Sequence, residues 1–207
     1  AWAFAGFTGD FSLAGGAVYD GGSGDGARSV AVDTVSAGGP YMYTVGQSSN
    51  GAAGLDYLTI KYSASGIMLA SAAYNGGYDD EANGVAVDSS GNVFVTGSRK
   101  DAGSGGFFTI KYSSNLVVQS SAVYNGAYGA GATGVAVDTS GNVFVSGYAG
   151  TATPNTEDFF TIKYNNNLVV QTSATYNGGY DDEAVRVAVD TSGNVFDTGY
   201  SSSAQSG

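Results

Sequence analysis

Two spacings constrain this chain more than any other feature. Val-Ala-Val-Asp runs end at Asp33, Asp88, Asp138 and Asp190, and each aspartate follows a tyrosine (Tyr19, Tyr74, Tyr124, Tyr176) by 14 residues. The aromatic residue closing a Phe-Thr-Ile-Lys-Tyr-like segment (Phe7, Tyr62, Tyr112, Tyr164) precedes that same tyrosine by 12 residues in all four cases. A period near fifty residues carrying short apolar segments is the mark of a four-stranded β-unit repeated along the chain.

The second unit shows the pattern most clearly. Val85–Asp88, Asn92–Gly97, Phe107–Tyr112 and Leu116–Tyr124 are β-branched or aromatic runs bounded by Gly, Ser, Asn and Asp, and read as strands 1 to 4 of an antiparallel meander. Asp-Ser-Ser-Gly-Asn after strand 1 supplies the glycine that a tight hairpin loop needs at positive φ. A meander this small cannot bury two apolar faces alone, so its neighbours must stack on it.

Residues 1–19 align without a gap on Gly106–Tyr124, so Trp2–Phe7 stands for a third strand and Phe11–Ala14 for a fourth. Units follow at about 20–74, 75–124 and 125–176, and residues 177–207 supply only strands 1 and 2. The expected fold is therefore all-β: one propeller domain over residues 1–207, of four four-stranded antiparallel blades. One of these blades joins the N-terminal strands 3–4 to the C-terminal strands 1–2. Closure would set Trp2, Phe4 and Phe7 against Val195, Phe196 and Asp197, and each of the three aromatics left unburied would forgo roughly 1.5–3 kcal/mol. The joint can form within one chain, which effective concentration favours, or head to tail between chains as a filament.

The runs VAVDSSGNVFVTG, FFTIKY and YNGGYDDEA resemble the SBBP-type β-propeller repeat, similar in pattern to NHL-like propellers. That resemblance implies a secreted or cell-surface protein and implies no particular activity. It also implies rings of six to eight blades, and this chain departs from that with four units. A start at Ala-Trp-Ala agrees with a mature chain after signal-peptide removal and equally with a fragment of a longer chain.

With 7 basic against 18 acidic residues and a net charge of −11, nucleic acid and anionic membranes are disfavoured partners. The chain has no His and no Cys, which removes Ser-His, thiol and His-metal chemistry. Carboxylate pairs remain, but aspartate in these loops is turn chemistry, so no enzyme is expected.

The candidate binding site is the loop from strand 4 to the next strand 1. It carries Asp79, Asp80 and Glu81 in one unit and Asp181, Asp182 and Glu183 in another. Ringed around a channel mouth, these six would repel one another unless screened, and Ca2+ is the matching cation. The other reading, which charge runs favour, is a set of solvated loop acids. Lys61, Lys111 and Lys163 recur in strand 3, either as a ligand-facing ring or as edge-proximal lysines that discourage strand pairing. The tyrosines of YNGGY could stack on sugars or pack between blades. The expected function is a non-enzymatic, self-assembling structural or adhesive protein, with a cation- or glycan-binding module as the alternative.

Overall fold

A computed structural model describes residues 2–7, 13–21, 23–49, 54–100, 105–153 and 156–202. No helix occurs among them. Three four-stranded antiparallel sheets form the body. The first contains β3 (Ser23–Asp33), β4 (Tyr41–Ser49), β5 (Leu55–Ser63) and β6 (Met68–Tyr74). The second contains β7 (Asp80–Val87), β8 (Val93–Arg99), β9 (Gly106–Tyr112) and β10 (Val118–Asn125). The third contains β11 (Ala130–Val137), β12 (Val143–Gly150), β13 (Glu157–Tyr164) and β14 (Val170–Tyr176). Each sheet pairs its strands in chain order, as the meander predicts.

Two ribbons flank these sheets: β1 (Trp2–Phe7) with β2 (Leu13–Tyr19), and β15 (Asp182–Val189) with β16 (Val195–Ser201). The β1–β2 register reproduces that of β9–β10 pair by pair. Trp2 faces Tyr19 as Phe107 faces Tyr124, and Phe7 faces Leu13 as Tyr112 faces Val118, with the same skipped residue before the last pair. The ribbon is thus the third and fourth strands of a blade, and its outer strand is described from Leu13 to Tyr19, with Phe11 of the predicted strand outside the described residues.

The repeated hairpin loop holds itself together through its aspartate. Asp88 Oδ1 accepts from the backbone N–H of Ser90 and Asn92, and its Oδ2 accepts from Asn92 Nδ2 at 2.7 Å. Gly91 sits at φ 77°, as the loop requires. The same contacts recur at Asp138 with Asn142 and at Asp190 with Asn194.

The core lies in the seams between sheets. Tyr43, Val45 and Tyr57 of the first blade pack on Val85, Val95, Phe108 and Ile110 of the second. Phe94 and Phe107 of the second pack on Ala132, Val143, Val145 and Ile162 of the third. Tyr74 approaches Phe108 with ring centroids 4.3 Å apart, and Tyr124 stacks on Phe160 at 4.5 Å, so the first tyrosine of the YNGGY-like run is an interblade residue. The second one (Tyr78, Tyr128, Tyr180) is exposed.

The lysines of strand 3 also belong to the seams. Lys61 and Lys111 are buried and donate to Asn115 Oδ1 (3.5 Å) and Asn166 Oδ1 on the strand 3–4 turn of the following blade. They lie on strands flanked on both sides within their sheets and point into the seams, so they are neither a ligand-facing ring nor edge guards.

Among the described residues the expected fourth blade is not completed within the chain. The ribbons β1–β2 and β15–β16 belong to separate sheets, and among the described residues β16 pairs only with β15. The backbone of β1 alone is described, so the side chains of Trp2, Phe4 and Phe7 lie outside the described set. In two of the seams the inner strands cross at glycine: a Cβ at Gly84 would lie 3.1 Å from Val135 N, and one at Gly134 would lie 3.2 Å from Val187 N. The equivalent position is Ser29 in β3 and Arg186 in β15.

Candidate functional site

The inner strands build the first candidate site through β-bulges. In β3, β7, β11 and β15 the register to the next strand slips at Ala27/Ser29, Ala82/Gly84, Ala132/Gly134 and Ala184/Arg186. A bulge re-aims its extra side chain, and the four extra residues are Arg28, Asn83, Thr133 and Val185. All four line one inner cavity of about 440 Å³, together with Glu81, Ser98, Tyr148, Glu183 and Arg186. The blades therefore curve around a shared interior. Room for the bulge comes from a glycine on strand 2, since a Cβ at Gly97 would sit 2.0 Å from Glu81 O.

Within the cavity the bulge residues clasp neighbouring blades. Asn83 Nδ2 donates to Ala132 O at 2.9 Å, and Thr133 Oγ1 donates to Ala184 O at 2.6 Å. Arg28 bridges to Glu81 Oε2 at 2.8 Å and donates to Gln47. Tyr200 donates to Glu183 Oε2 at 2.5 Å, and that bond to the carboxylate pushes the Tyr200 hydroxyl up to about 12. Burial, with Glu183 and Asp181 nearby, raises Glu157.

The six acids of the sequence reading separate in space. Asp80 and Asp182 are fully buried and each closes its own loop, accepting from Gly76 N at 2.6 Å and Gly178 N at 2.5 Å. Burial raises the Asp80 carboxyl against that hydrogen bond. Asp79 accepts from Leu55 N and pairs with Lys100 at 3.5 Å, and Asp181 is exposed. Only Glu81 and Glu183 reach the cavity, beside two arginines. No group of three or more acids placed to hold a metal ion occurs among the described residues.

The second candidate site is a socket beside the C-terminal ribbon. On the face of the third blade that looks toward β15–β16, Phe159, Thr161 and Lys163 are half-buried, whereas Phe107, Thr109 and Lys111 in the second blade are buried. A cavity of about 430 Å³ opens there between Phe144, Thr161, Lys163 and Ala174 on one side and Val195 and Asp197 on the other. A neighbouring one of about 330 Å³ reaches Phe159 and Tyr176. Asp197 Oδ2 accepts from Thr161 Oγ1 at 2.7 Å, while its buried Oδ1 has no partner. Of the expected joint residues, Phe196 is exposed on the side away from the third blade, while Val195 and Asp197 line the socket.

Sequence reasoning did not find the bulge residues. The signal was available in the tripeptides Ala-Arg-Ser, Ala-Asn-Gly, Ala-Thr-Gly and Ala-Val-Arg before the four Val-Ala-Val-Asp runs, where alternation breaks by one residue.

Antiparallel four-stranded sheets whose inner strands surround a common cavity define a propeller-like protein. Residues 73–98, from the end of β6 to β8, match the SBBP family, a β-propeller repeat. No curated protein matches the chain.

Proposed function

We propose that this chain is a non-enzymatic structural or adhesive protein of the cell exterior whose copies join head to tail. The β1–β2 ribbon of one copy completes the blade begun by β15–β16 of the next. The observation that carries this reading is the identity of register between β1–β2 and β9–β10, set against the open edge of β16. Among the described residues a ribbon shaped as strands 3 and 4 stands without its strand 2, and a strand 2 stands without its strand 3. Stacking would cover the surfaces left open: Val30 is 56% exposed where its counterpart Val85 is 7% exposed. The contact is heterologous, so it propagates unless the geometry closes.

Sedimentation of the chain across a wide concentration range tests this directly. Mass that grows with concentration, and falls to short species when residues 1–8 are deleted, is the expected result. A single monomeric species at every concentration would overturn it.

A second reading, cation binding beside the inner cavity, draws on Glu183, which lines that cavity, and on Glu157, whose carboxyl is raised by burial and by Glu183 and Asp181 and would be relieved by a bound cation. Binding to the folded state alone would raise the melting temperature in millimolar Ca2+ over that in chelator. Identical melting in the two conditions removes this reading.

A further inference from the structure

Charge is segregated on this molecule. Residues 63–78, 113–128 and 165–180 hold none of the chain's 7 basic and 18 acidic residues. These spans comprise the strand 3–4 turn, the whole of β6, β10 and β14, and the start of the following loop. Each of the three strands is the last in its sheet, with one row of backbone N–H and C=O groups facing outward. The same spans expose apolar residues at matching places: Ile67, Met68 and Leu69, then Val117 and Val118, then Val169 and Val170, the valines at 59–64%.

Sheet edges are ordinarily guarded by lysine, proline or an inward charge. Here the guards are missing from all three outer strands, and the only interruption is a bulge near the start of each, after which Ala70–Tyr74, Ser120–Asn125 and Thr172–Tyr176 run in regular register. A copy carrying a charge of −11 repels another copy over most of its surface. The outer rim is where two copies can approach without opposing charges of the same sign.

We propose that this rim is a lateral contact surface for a second copy of the chain, formed by antiparallel edge pairing of β10 and β14 with those of the other copy and sealed by the exposed Val117–Val118 and Val169–Val170 pairs. The contact is isologous, because the same uncharged edge serves both partners. It is independent of head-to-tail joining, and together the two would bundle threads side by side.

The test is electron microscopy and sedimentation of the full chain at low and high salt. Side-by-side pairs should form and should strengthen with salt, which screens the net repulsion. The variant Met68→Lys/Val118→Lys/Val170→Lys alters only exposed positions and lowers the net negative charge. A contact governed by net charge would strengthen in it; the edge contact is lost. The control Ser89→Lys/Thr139→Lys/Thr191→Lys, with lysines in the strand 1–2 loops, keeps the pairs. The proposal is overturned if the edge variant pairs as well as the unmodified chain. It is equally overturned if the unmodified chain never associates laterally at any salt, including the case in which its rim binds an added neutral polysaccharide instead.

Discussion

Phe94 and Phe196 occupy the same place in two copies of one strand, yet Phe94 is fully buried and Phe196 is 55% exposed. The difference lies in what stands beyond them: Phe94 meets the third blade, whereas no complete blade follows Phe196. Phe94→Ala should therefore cost the folded monomer about 3–5 kcal/mol. Phe196→Ala should leave the denaturant midpoint of a dilute sample almost unchanged and should raise the concentration needed for assembly. Chemical denaturation paired with sedimentation reads both quantities.

Lys163 should become protected when copies join. Lys61 and Lys111 are buried because the turn of the next blade covers them, while Lys163 lies half-open over the Phe144 ring. Treatment with an amine-acylating reagent, read by mass spectrometry, should modify Lys163 in monomer and spare it in polymer. Lys61 and Lys111 should be spared in both.

The clasps inside the cavity should matter unequally. Thr133→Val removes the donor to Ala184 O and should cost about 1–3 kcal/mol, since a buried carbonyl loses its partner. The natural residue at the equivalent place in the last unit, Val185, already lacks a donor. Val185→Thr should leave monomer stability unchanged and strengthen head-to-tail assembly by supplying the missing bond to Ala27 of the incoming copy. An assembly curve superimposable on that of the unmodified chain would refute that role.

Acid should unfold the chain only at low pH. Burial tends to raise the carboxyls of Asp33, Asp88 and Asp138, but the hydrogen bonds from their own loops outweigh it and hold all three below the ordinary 3.8. A depressed folded value gives stability that is complete above the unfolded value and is lost as pH falls through the folded one. Asp56 and Asp80 run the other way, because burial raises them, and their protonation offsets part of any loss above 3.8. Denaturation midpoints should hold nearly level from neutrality down to about pH 4 and drop below it. Asp88→Asn should flatten that drop; an unchanged acid profile would refute the assignment.

The strands, the hairpin loops and the half-blades were legible in the sequence because each rests on local chemistry repeated at fixed spacing. The acids were not. Asp79, Asp80 and Glu81 are adjacent in sequence, but side chains along extended backbone alternate in direction. One is consequently drawn out to Lys100, one in under its own loop, and one toward the cavity. The joint was legible only in part: counting places Trp2 near Gly199, but strand spacing is the same whether the two ribbons meet within one chain or between chains. The recurrent lysine looked like an edge guard because its buried partner, the amide of Asn115 or Asn166, sits more than fifty residues away.

Each seam joins a blade only to its neighbour, through Tyr74 with Phe108 and then Tyr124 with Phe160. Pulled from its two ends, such a molecule carries tension in series, one seam after the next. It should extend as a ratchet of discrete lengthening events, with the incomplete β15–β16 ribbon giving way first and each surviving blade resetting the force. A thread made from it would be tough rather than stiff, dissipating a sudden load by surrendering blades one at a time.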